Sequence, residues 1–207
     1  MERSYPIDAL RLRKSKVEGE CLLSLFSMNH KVAKALLALV SVPLLAAPPA
    51  TGQRAPDFSL QRLQGGMVQL SSELAKGKIV LVVLRGYPGY QCPFCNRQAQ
   101  DFLTNAKGFK EAGVRVLMVY PGAAEGLEKR ANEFVRDKPF PEGFELLLDP
   151  DYRFTRLYDL RWNAPNETAY PSTFVIDQTG VVTFAKMSRE HGGRTTAIEI
   201  LNVLKKR

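Results

Sequence analysis

The sequence predicts an α/β protein in which a central mixed β-sheet is covered by helices on both faces. Apolar runs of strand length alternate with segments of helical periodicity in the order β-α-β-α-β-α-β-β-α. The last two strands are joined by a short glycine turn, which is typical of a hairpin. The chain has 207 residues, of which 45% are hydrophobic and 24% charged, and it shows no internal repeat. This composition fits one soluble domain with an additional segment.

The additional segment is N-terminal and resembles a secretory leader. An uncharged apolar run, Ala35–Leu45, follows Lys31 and Lys34 and precedes small residues and prolines. The run is shorter than the ~20 residues that a membrane span requires. We expect cleavage after Ala46 or Ala50 and export to the periplasm or the extracellular space. An uncleaved membrane anchor is the alternative.

Residues 1–50 are therefore assigned to the leader and residues 51–207 to the folded domain. Met28 would be a natural start for such a leader, so the mixed-charge segment before it reads as an upstream start. Cys21 follows Glu20 and lacks the small preceding residues that a lipoprotein signal needs.

The domain begins with extended chain. Gly65-Gly66 separates two short alternating pieces, Ser59–Leu63 and Met67–Leu70, which predicts a hairpin. A short turn at Glu73–Lys76 then leads into the apolar strand Lys78–Arg85. The remaining predicted elements are a helix from the cysteine motif to Gly113, strand Val114–Tyr120, helix Gly122–Asp137, strand Phe144–Leu148, helix Asp149–Leu160, strands Ser172–Asp177 and Val181–Lys186, and helix Thr195–Leu204.

The motif Cys92-Pro93-Phe94-Cys95 stands where the apolar strand passes through a Gly/Pro loop into a helix. Unpaired N–H groups and the helix dipole at a helix start favour a thiolate over a thiol. Pro93 suits the first turn because no N–H is needed there. Cysteines three positions apart can also close a disulfide across that turn. The motif therefore predicts a dithiol that cycles between its reduced and oxidised forms.

Other cysteine chemistry fits less well. A zinc site needs four ligands, and the domain offers only Cys92, Cys95 and His191. Haem attachment needs a histidine after the second cysteine, where Asn96 stands. A purely structural disulfide remains an alternative, although so small a loop constrains little of the unfolded chain.

Charge and motifs also limit the partners. The chain has a net charge of +8, and within the domain the basic residues are scattered among acidic ones, so no block there suggests nucleic-acid binding. No nucleotide fingerprint or metal constellation is visible, and we expect no cofactor. Electrons must then come from an external dithiol protein.

Three motifs in order resemble the alkyl hydroperoxide reductase/thiol-specific antioxidant branch of the thioredoxin superfamily. They are GQRAPDFSL at residues 52–60, the strand leading into CPFC, and YPSTFVID at residues 170–177. The resemblance spans Gly52–Leu204. It implies a thioredoxin fold with an added N-terminal β-hairpin.

The resemblance allows two mechanisms. In a thioredoxin-type reductase, Cys92 would attack a substrate disulfide and Cys95 would resolve the mixed disulfide. Peroxiredoxins place a proline, a hydroxyl residue and the peroxide-attacking cysteine at the spacing of Pro88, Cys92 and Cys95. In that register Cys95 would become the sulfenic acid and Cys92 would condense with it.

A position just before the TFVID strand distinguishes the two. Peroxiredoxins usually place an arginine there to hold the peroxide, whereas this chain has Pro171. Thioredoxin-type enzymes have a cis-proline at this point that presents backbone to a bound peptide. The resemblance therefore implies a cis peptide at Pro171 and a substrate groove lined by Tyr170 and Pro171, whereas an ordinary trans proline would simply start the strand.

Several polar side chains are weaker candidates. Arg85 and Arg97 could lower a thiol pKa, and Arg161 with Trp162 could replace the missing arginine, but each is equally consistent with a surface or packing role. His191 lies in the segment His-Gly-Gly-Arg that follows the last strand. For a single histidine in such a position, a structural role is favoured over that of a proton donor.

The sequence is thus interpreted as an exported thiol-disulfide oxidoreductase that uses Cys92 and Cys95 on disulfides or oxidised thiols of exported proteins. A peroxiredoxin-type thiol peroxidase is the alternative enzyme. A binding protein with a structural disulfide on the same scaffold is the alternative outside catalysis.

Overall fold

The computed structural model describes residues 47–206. The predicted leader up to Ala46, including Cys21 and Met28, lies outside the described residues. In the described part of the chain, no helix has both the length and the apolar character needed to cross a membrane.

The described residues contain seven strands in one mixed sheet, ordered β2-β1-β5-β4-β3-β6-β7. The central strands β3, β4 and β5 are parallel, and the other pairings are antiparallel. This confirms the predicted mixed sheet and the N-terminal hairpin. The strands are β1 (Ser59–Arg62), β2 (Met67–Gln69), β3 (Lys78–Val83), β4 (Val114–Gly122), β5 (Phe144–Pro150), β6 (Ser172–Ile176) and β7 (Val182–Met187).

Helices cover both faces of the sheet, as the fold class predicts. One face carries α2, α3, α4 and α6 together with the two cysteines, and the other carries α1 and α5. The helices are α1 (Leu70–Leu74), α2 (Pro93–Thr104), α3 (Ala106–Glu111), α4 (Leu127–Val135), α5 (Arg153–Leu157) and α6 (Ala197–Lys205).

Strand β3 is the centre of both cores. Because a strand alternates its side chains between faces, an uninterrupted apolar strand needs cover on both sides. Residues Val80 and Val82 face the core that contains the cysteines, and Ile79, Leu81 and Val83 face the other. The strand is thereby held rigidly up to the loop that carries the cysteine motif.

The helix predicted to run from the cysteines to Gly113 is divided in two. At Asn105 the backbone leaves helical geometry, with φ −96° and ψ 15°. The Asn105 amide donates to the carbonyl of Asp101 at 2.8 Å. Such a side-chain bond competes with the helical backbone bonds and explains the interruption.

The helix predicted over Asp149–Leu160 is also shorter. Tyr152 has φ 62°, so the chain turns before α5 begins. The buried carboxylate of Asp149 accepts the N–H groups of Phe154 at 2.8 Å and Thr155 at 3.0 Å. Asp149 therefore satisfies the free donors at the start of α5 from outside the helix.

An ion network joins the N-terminal hairpin to the parallel core. Glu73 is buried, and its carboxylate lies 3.4 Å from Arg62 and 3.0 Å from Lys76. It also pairs with Arg115. Glu145 pairs with the same two arginines. One network therefore links α1, β1, β4 and β5.

We expect Glu73→Ala to lower the free energy of unfolding by about 2 to 3 kcal/mol, because two half-buried arginines lose a partner. Urea unfolding followed by circular dichroism measures this change. Glu142→Ala is the control, since Glu142 pairs with Lys110 at 3.1 Å and both side chains are exposed. It should change stability by less than about 0.5 kcal/mol. Equal effects of the two substitutions would contradict the structural role of the network.

Candidate active site

The loop between β3 and α2 is held against the neighbouring strand by a glycine. Gly86 has φ 72° and passes so close to β4 that a Cβ atom there would overlap the carbonyl of Pro121. The next N–H, that of Tyr87, donates to the same carbonyl at 3.1 Å. Because only glycine permits both the conformation and the close approach, Gly86 determines where the loop leaves the sheet.

The end of the loop is fixed by Gln91. Its side-chain oxygen accepts the hydroxyl of the buried Tyr120 at 2.9 Å. Its side-chain nitrogen donates to the carbonyl of Arg130, in α4, at 2.8 Å. Gln91 therefore ties the residue before the cysteine motif both to β4 and to a neighbouring helix.

Cys92 is the N-cap of α2, and Pro93 is the first helical residue. The N–H of Cys95 donates to Sγ of Cys92 at 3.4 Å, in the manner of a capping side chain. Cys92 is 1% exposed and Cys95 is fully buried. Both are free thiols in the structure. The predicted dithiol at a helix N-terminus is therefore present and almost completely enclosed.

A guanidinium that the sequence analysis did not assign to the site contacts both sulfurs. Arg194 lies between β7 and α6. Its Nη1 is 3.5 Å from Sγ of Cys95, and its Nη2 is 3.9 Å from Sγ of Cys92. Positive charge at this distance stabilises a thiolate.

The two thiols have opposite pKa shifts. The hydrogen bond from the thiol of Cys95 is the main cause that lowers the pKa of Cys92 to about 5, and the Cys95 N–H, Arg194 and Arg85 act in the same direction. Burial raises the pKa of Cys95, and the neighbouring Cys92 raises it further. The directions of these shifts favour a thiolate on Cys92 and a thiol on Cys95 at neutral pH.

Arg85, at the end of β3, is the centre of a second polar network. It is 2% exposed and donates to Glu167 at 2.5 Å, to the Tyr90 hydroxyl at 2.7 Å and to the Asn166 carbonyl at 2.6 Å. The other oxygen of Glu167 is 2.8 Å from Nε2 of His191. The positive charge of Arg85 is thus already paired with a carboxylate. His191 is tied into this network, which agrees with a structural role.

Tyr170, predicted to line a substrate groove, belongs to a row of rings that reaches the cysteine motif. Its ring stacks on Trp162 with centroids 4.8 Å apart. Trp162 is 5.4 Å from the ring of His191, which is 6.1 Å from that of Phe94. The row gives one border of the site an aromatic surface.

The backbone around Pro171 is hydrogen-bonded within the protein. Tyr170 donates its N–H to Leu160 at 2.9 Å and accepts the Ser172 hydroxyl at 3.0 Å. The Pro171 carbonyl accepts the Ser188 N–H at 2.8 Å. A peptide would have to compete with these bonds. The cis peptide and the substrate-binding role of Tyr170 and Pro171 remain predictions.

The other arginines suggested by the sequence have different partners. Arg97 lies over the ring of Phe94, 4.6 Å from its centroid. Arg161 donates to the carbonyls of Glu167 at 3.0 Å and Thr168 at 2.6 Å. Arg194 belongs to the His-Gly-Gly-Arg segment, in which the sequence indicated only His191 as a candidate. No local pattern links it to Cys95, from which it is separated by 99 positions.

No metal site accompanies the dithiol in the described part of the chain, where no group of three or more His, Cys, Asp or Glu side chains could hold an ion.

A cleft of about 670 Å³ opens beside the loop, between Tyr87, Lys129, Arg161 and Glu167. The two cysteines do not line that cleft. The reactive groups that the structure brings together at the start of α2 are the two sulfurs and the guanidinium of Arg194.

We expect the ultraviolet absorbance of thiolate to appear as the pH rises through about 5, where Cys92 loses its proton. Below that pH both sulfurs are protonated. Cys95, with its raised pKa, contributes only in alkaline solution. Cys92→Ser should remove the acidic transition, and Cys95→Ser should keep an acidic transition. An acidic transition that survives in Cys92→Ser would show that the charge belongs to Cys95.

Comparison with known proteins places the chain in a family. Residues 51–185 match the model of the AhpC/TSA family. A candidate peroxiredoxin of Mycobacterium tuberculosis is 30% identical over 156 residues, which cover 71% of this chain and 90% of the relative. The chloroplastic peroxiredoxin Q of Sedum lineare is 30% identical over 135 residues, covering 63% of this chain and 65% of the relative.

The fold is shared with solved structures. The crystal structure of peroxidoxin BcpB from Mycobacterium tuberculosis superposes with a TM-score of 0.61 at 24% identity, covering 76% of this chain and 97% of that one. This likeness concerns the fold, whereas the family match and the sequence relatives extend to the family itself. The chain therefore belongs to the AhpC/TSA family and is a thiol-dependent oxidoreductase with a thioredoxin fold.

Proposed function

We propose that the protein is a thiol peroxidase that reduces hydroperoxides with Cys92 and Cys95. The observation that carries the proposal is the enclosed pair of sulfurs under one guanidinium. Its relatives named as peroxiredoxins support the same chemistry. An external dithiol protein returns the oxidised pair to its reduced form.

The first step oxidises Cys92. Its thiolate attacks the terminal oxygen of the hydroperoxide, so an S–O bond forms and the O–O bond breaks. The sulfur becomes a sulfenic acid, and the departing oxygen takes a proton from solvent to give an alcohol, or water when hydrogen peroxide is the substrate. Two electrons pass from sulfur to oxygen in this step.

The second step closes the disulfide. The thiol of Cys95 attacks the sulfenic sulfur of Cys92, an S–S bond forms, and the hydroxyl group leaves with the Cys95 proton as water. The N–H of Cys95 donates to the sulfur of Cys92 at 3.4 Å, so the two residues are neighbours on one helical turn, which supports this condensation. A partner dithiol then reduces the disulfide by exchange.

A small oxidant suits the site better than a protein disulfide. Cys92 is 1% exposed and Cys95 is not exposed at all, which leaves little surface for a bulky disulfide. The backbone of Tyr170 and Pro171 is already hydrogen-bonded internally. Both facts favour the peroxidase over the interpretation as a disulfide reductase.

Disulfide reduction on exported partners is the second candidate. A first cysteine with a lowered pKa followed by a buried second cysteine is the order that disulfide exchange through Cys92 requires. The aromatic row from Tyr170 to Phe94 offers a contact surface for such a partner.

The peroxiredoxin spacing would make Cys95 the first residue to be oxidised. The geometry favours Cys92 instead, because its sulfur caps the start of α2 and accepts the N–H of Cys95, whereas the Cys95 side chain is fully buried in the first helical turn. The pKa of Cys92 is lowered and that of Cys95 is raised, in the same sense. We therefore propose that the order of attack is Cys92 and then Cys95.

We expect the reduced protein to lose two thiols to hydrogen peroxide at a second-order rate far above that of free cysteine. Cys92→Ser should lower this rate by several orders of magnitude, because it removes the nucleophile. Cys95→Ser should still react once and accumulate a sulfenic acid that a dimedone probe traps. Stopped-flow kinetics and mass spectrometry measure the two effects.

Two results would contradict the proposal in different ways. A fast rate that survives in Cys92→Ser and is lost in Cys95→Ser would reverse the order of attack. A wild-type rate no better than that of free cysteine would reject the peroxidase and leave disulfide exchange as the working chemistry.

We also propose that the protein acts outside the cytoplasm, on the basis of the leader pattern at residues 28–50. N-terminal sequencing of the protein purified from its native source should then begin at Ala47 or Thr51. Recovery of the uncleaved chain from a membrane fraction would favour the anchor instead.

A further inference from the structure

Arg194 is partly buried and differs from the buried Arg85 in the groups that balance its charge. Arg85 is paired with Glu167 at 2.5 Å. Within residues 47–206, no carboxylate oxygen lies within ion-pair distance of Arg194. Its terminal nitrogens contact Cys95 at 3.5 Å and Cys92 at 3.9 Å. The sulfurs are therefore the groups that can supply a countercharge to this guanidinium.

The guanidinium is held in place by neutral acceptors. Nε of Arg194 donates to the His191 carbonyl at 2.8 Å, and Nη1 donates to Oε1 of Gln98 at 3.1 Å. The buried Gln98 donates in turn to the Thr195 carbonyl at 3.3 Å. Neutral partners orient the guanidinium without cancelling its charge, which leaves the charge directed at the sulfurs.

The segment around Arg194 is also tied to the strand where the family resemblance places an arginine. The hydroxyls of Thr195 and Thr173 are 2.7 Å apart and both are buried. Thr173 belongs to β6, two positions after Pro171. The positive charge absent from position 171 is thus supplied from the loop that leads into α6, and that loop is anchored to the same strand.

We propose that Arg194 is a catalytic residue that holds the negative charge of the dithiol and follows it from sulfur to the departing oxygen of the hydroperoxide. The fork of the guanidinium contacts both sulfurs at once, so the same side chain serves Cys92 before attack and Cys95 during closure of the disulfide. Fixed charge already in place where negative charge develops lowers the barrier without reorganisation. The part of this role that concerns the departing oxygen rests on the proposed peroxidase function. The part that concerns the thiolate does not.

Few other groups can account for the ionisation of the pair. The charged and titratable groups that act on the two thiols are Arg194 from the α6 loop, Arg85 from the end of β3 and Tyr120 from β4. Burial holds the pKa of Tyr120 above its usual value, so it stays neutral. The charge of Arg85 is shared with Glu167. Removing the charge of Arg194 should therefore raise the pKa of the thiol that ionises.

The test compares Arg194→Gln with Arg97→Gln in the full chain. Both substitutions remove one positive charge near the start of α2, but Arg97 is exposed and lies over Phe94 rather than on a sulfur. We expect Arg194→Gln to move the thiolate absorbance transition upward by about 1 pH unit or more. Its rate with hydrogen peroxide should fall by roughly 100-fold. Arg97→Gln should match the wild type in both measurements.

Two further variants guard against misfolding and separate charge from shape. Arg194→Met replaces Arg194→Gln if thermal unfolding shows that the glutamine variant is unstable. Arg194→Lys keeps the charge, so its thiolate transition should lie between that of the wild type and that of Arg194→Gln. A wild-type transition in both uncharged variants, or an equal shift in Arg97→Gln, would overturn the proposed role.

The titration needs no substrate, so the two proposals can fail separately. A shifted transition in Arg194→Gln, in a protein whose wild type does not consume hydrogen peroxide, would support Arg194 as the thiolate-holding residue and reject the peroxidase. An unshifted transition in a protein that does consume hydrogen peroxide would reject the role of Arg194 and leave the peroxidase standing.

Discussion

The negative charge on an enclosed sulfur is the constraint on which the site depends. Burial disfavours a thiolate, and Cys95 responds by keeping its proton. At Cys92 the thiol and N–H of Cys95 and the guanidinium of Arg194 favour the charged form and outweigh the effect of burial, so its pKa is lowered. One member of the pair thus serves as donor to the other. The asymmetry between two chemically identical residues arises from position on one helical turn.

The surrounding fold keeps these donors in place. β3 is covered on both faces, so the loop that follows it starts from a rigid strand. Gly86 fixes the exit of that loop and Gln91 fixes its end. The start of α2 is therefore held in one position, where the sulfur of Cys92 accepts the N–H of Cys95. Rigid support of this kind lowers the cost of holding charge away from water, because few groups must reorganise.

Membership of the AhpC/TSA family accounts for the fold and for thiol chemistry, but the site has features of its own. A second cysteine stands where the family spacing has a hydroxyl residue, and Pro171 stands where an arginine is usual. The two departures belong together in the structure. Cys92, at the position of the hydroxyl residue, accepts the N–H of Cys95, and Arg194 brings a guanidinium to both sulfurs from another element.

The sequence alone determined the sheet, the hairpin and the dithiol at a helix start, because apolar periodicity, glycine turns and the spacing of Cys92 and Cys95 are local properties. It was less accurate where a side chain overrides the pattern, as Asn105 does within the predicted long helix. Only the tertiary structure decided which arginine serves the sulfurs. Arg194 reaches them because the loop after β7 returns to the start of α2, a contact between residues far apart in the chain. Such contacts depend on the packed fold and leave no periodic trace in the sequence.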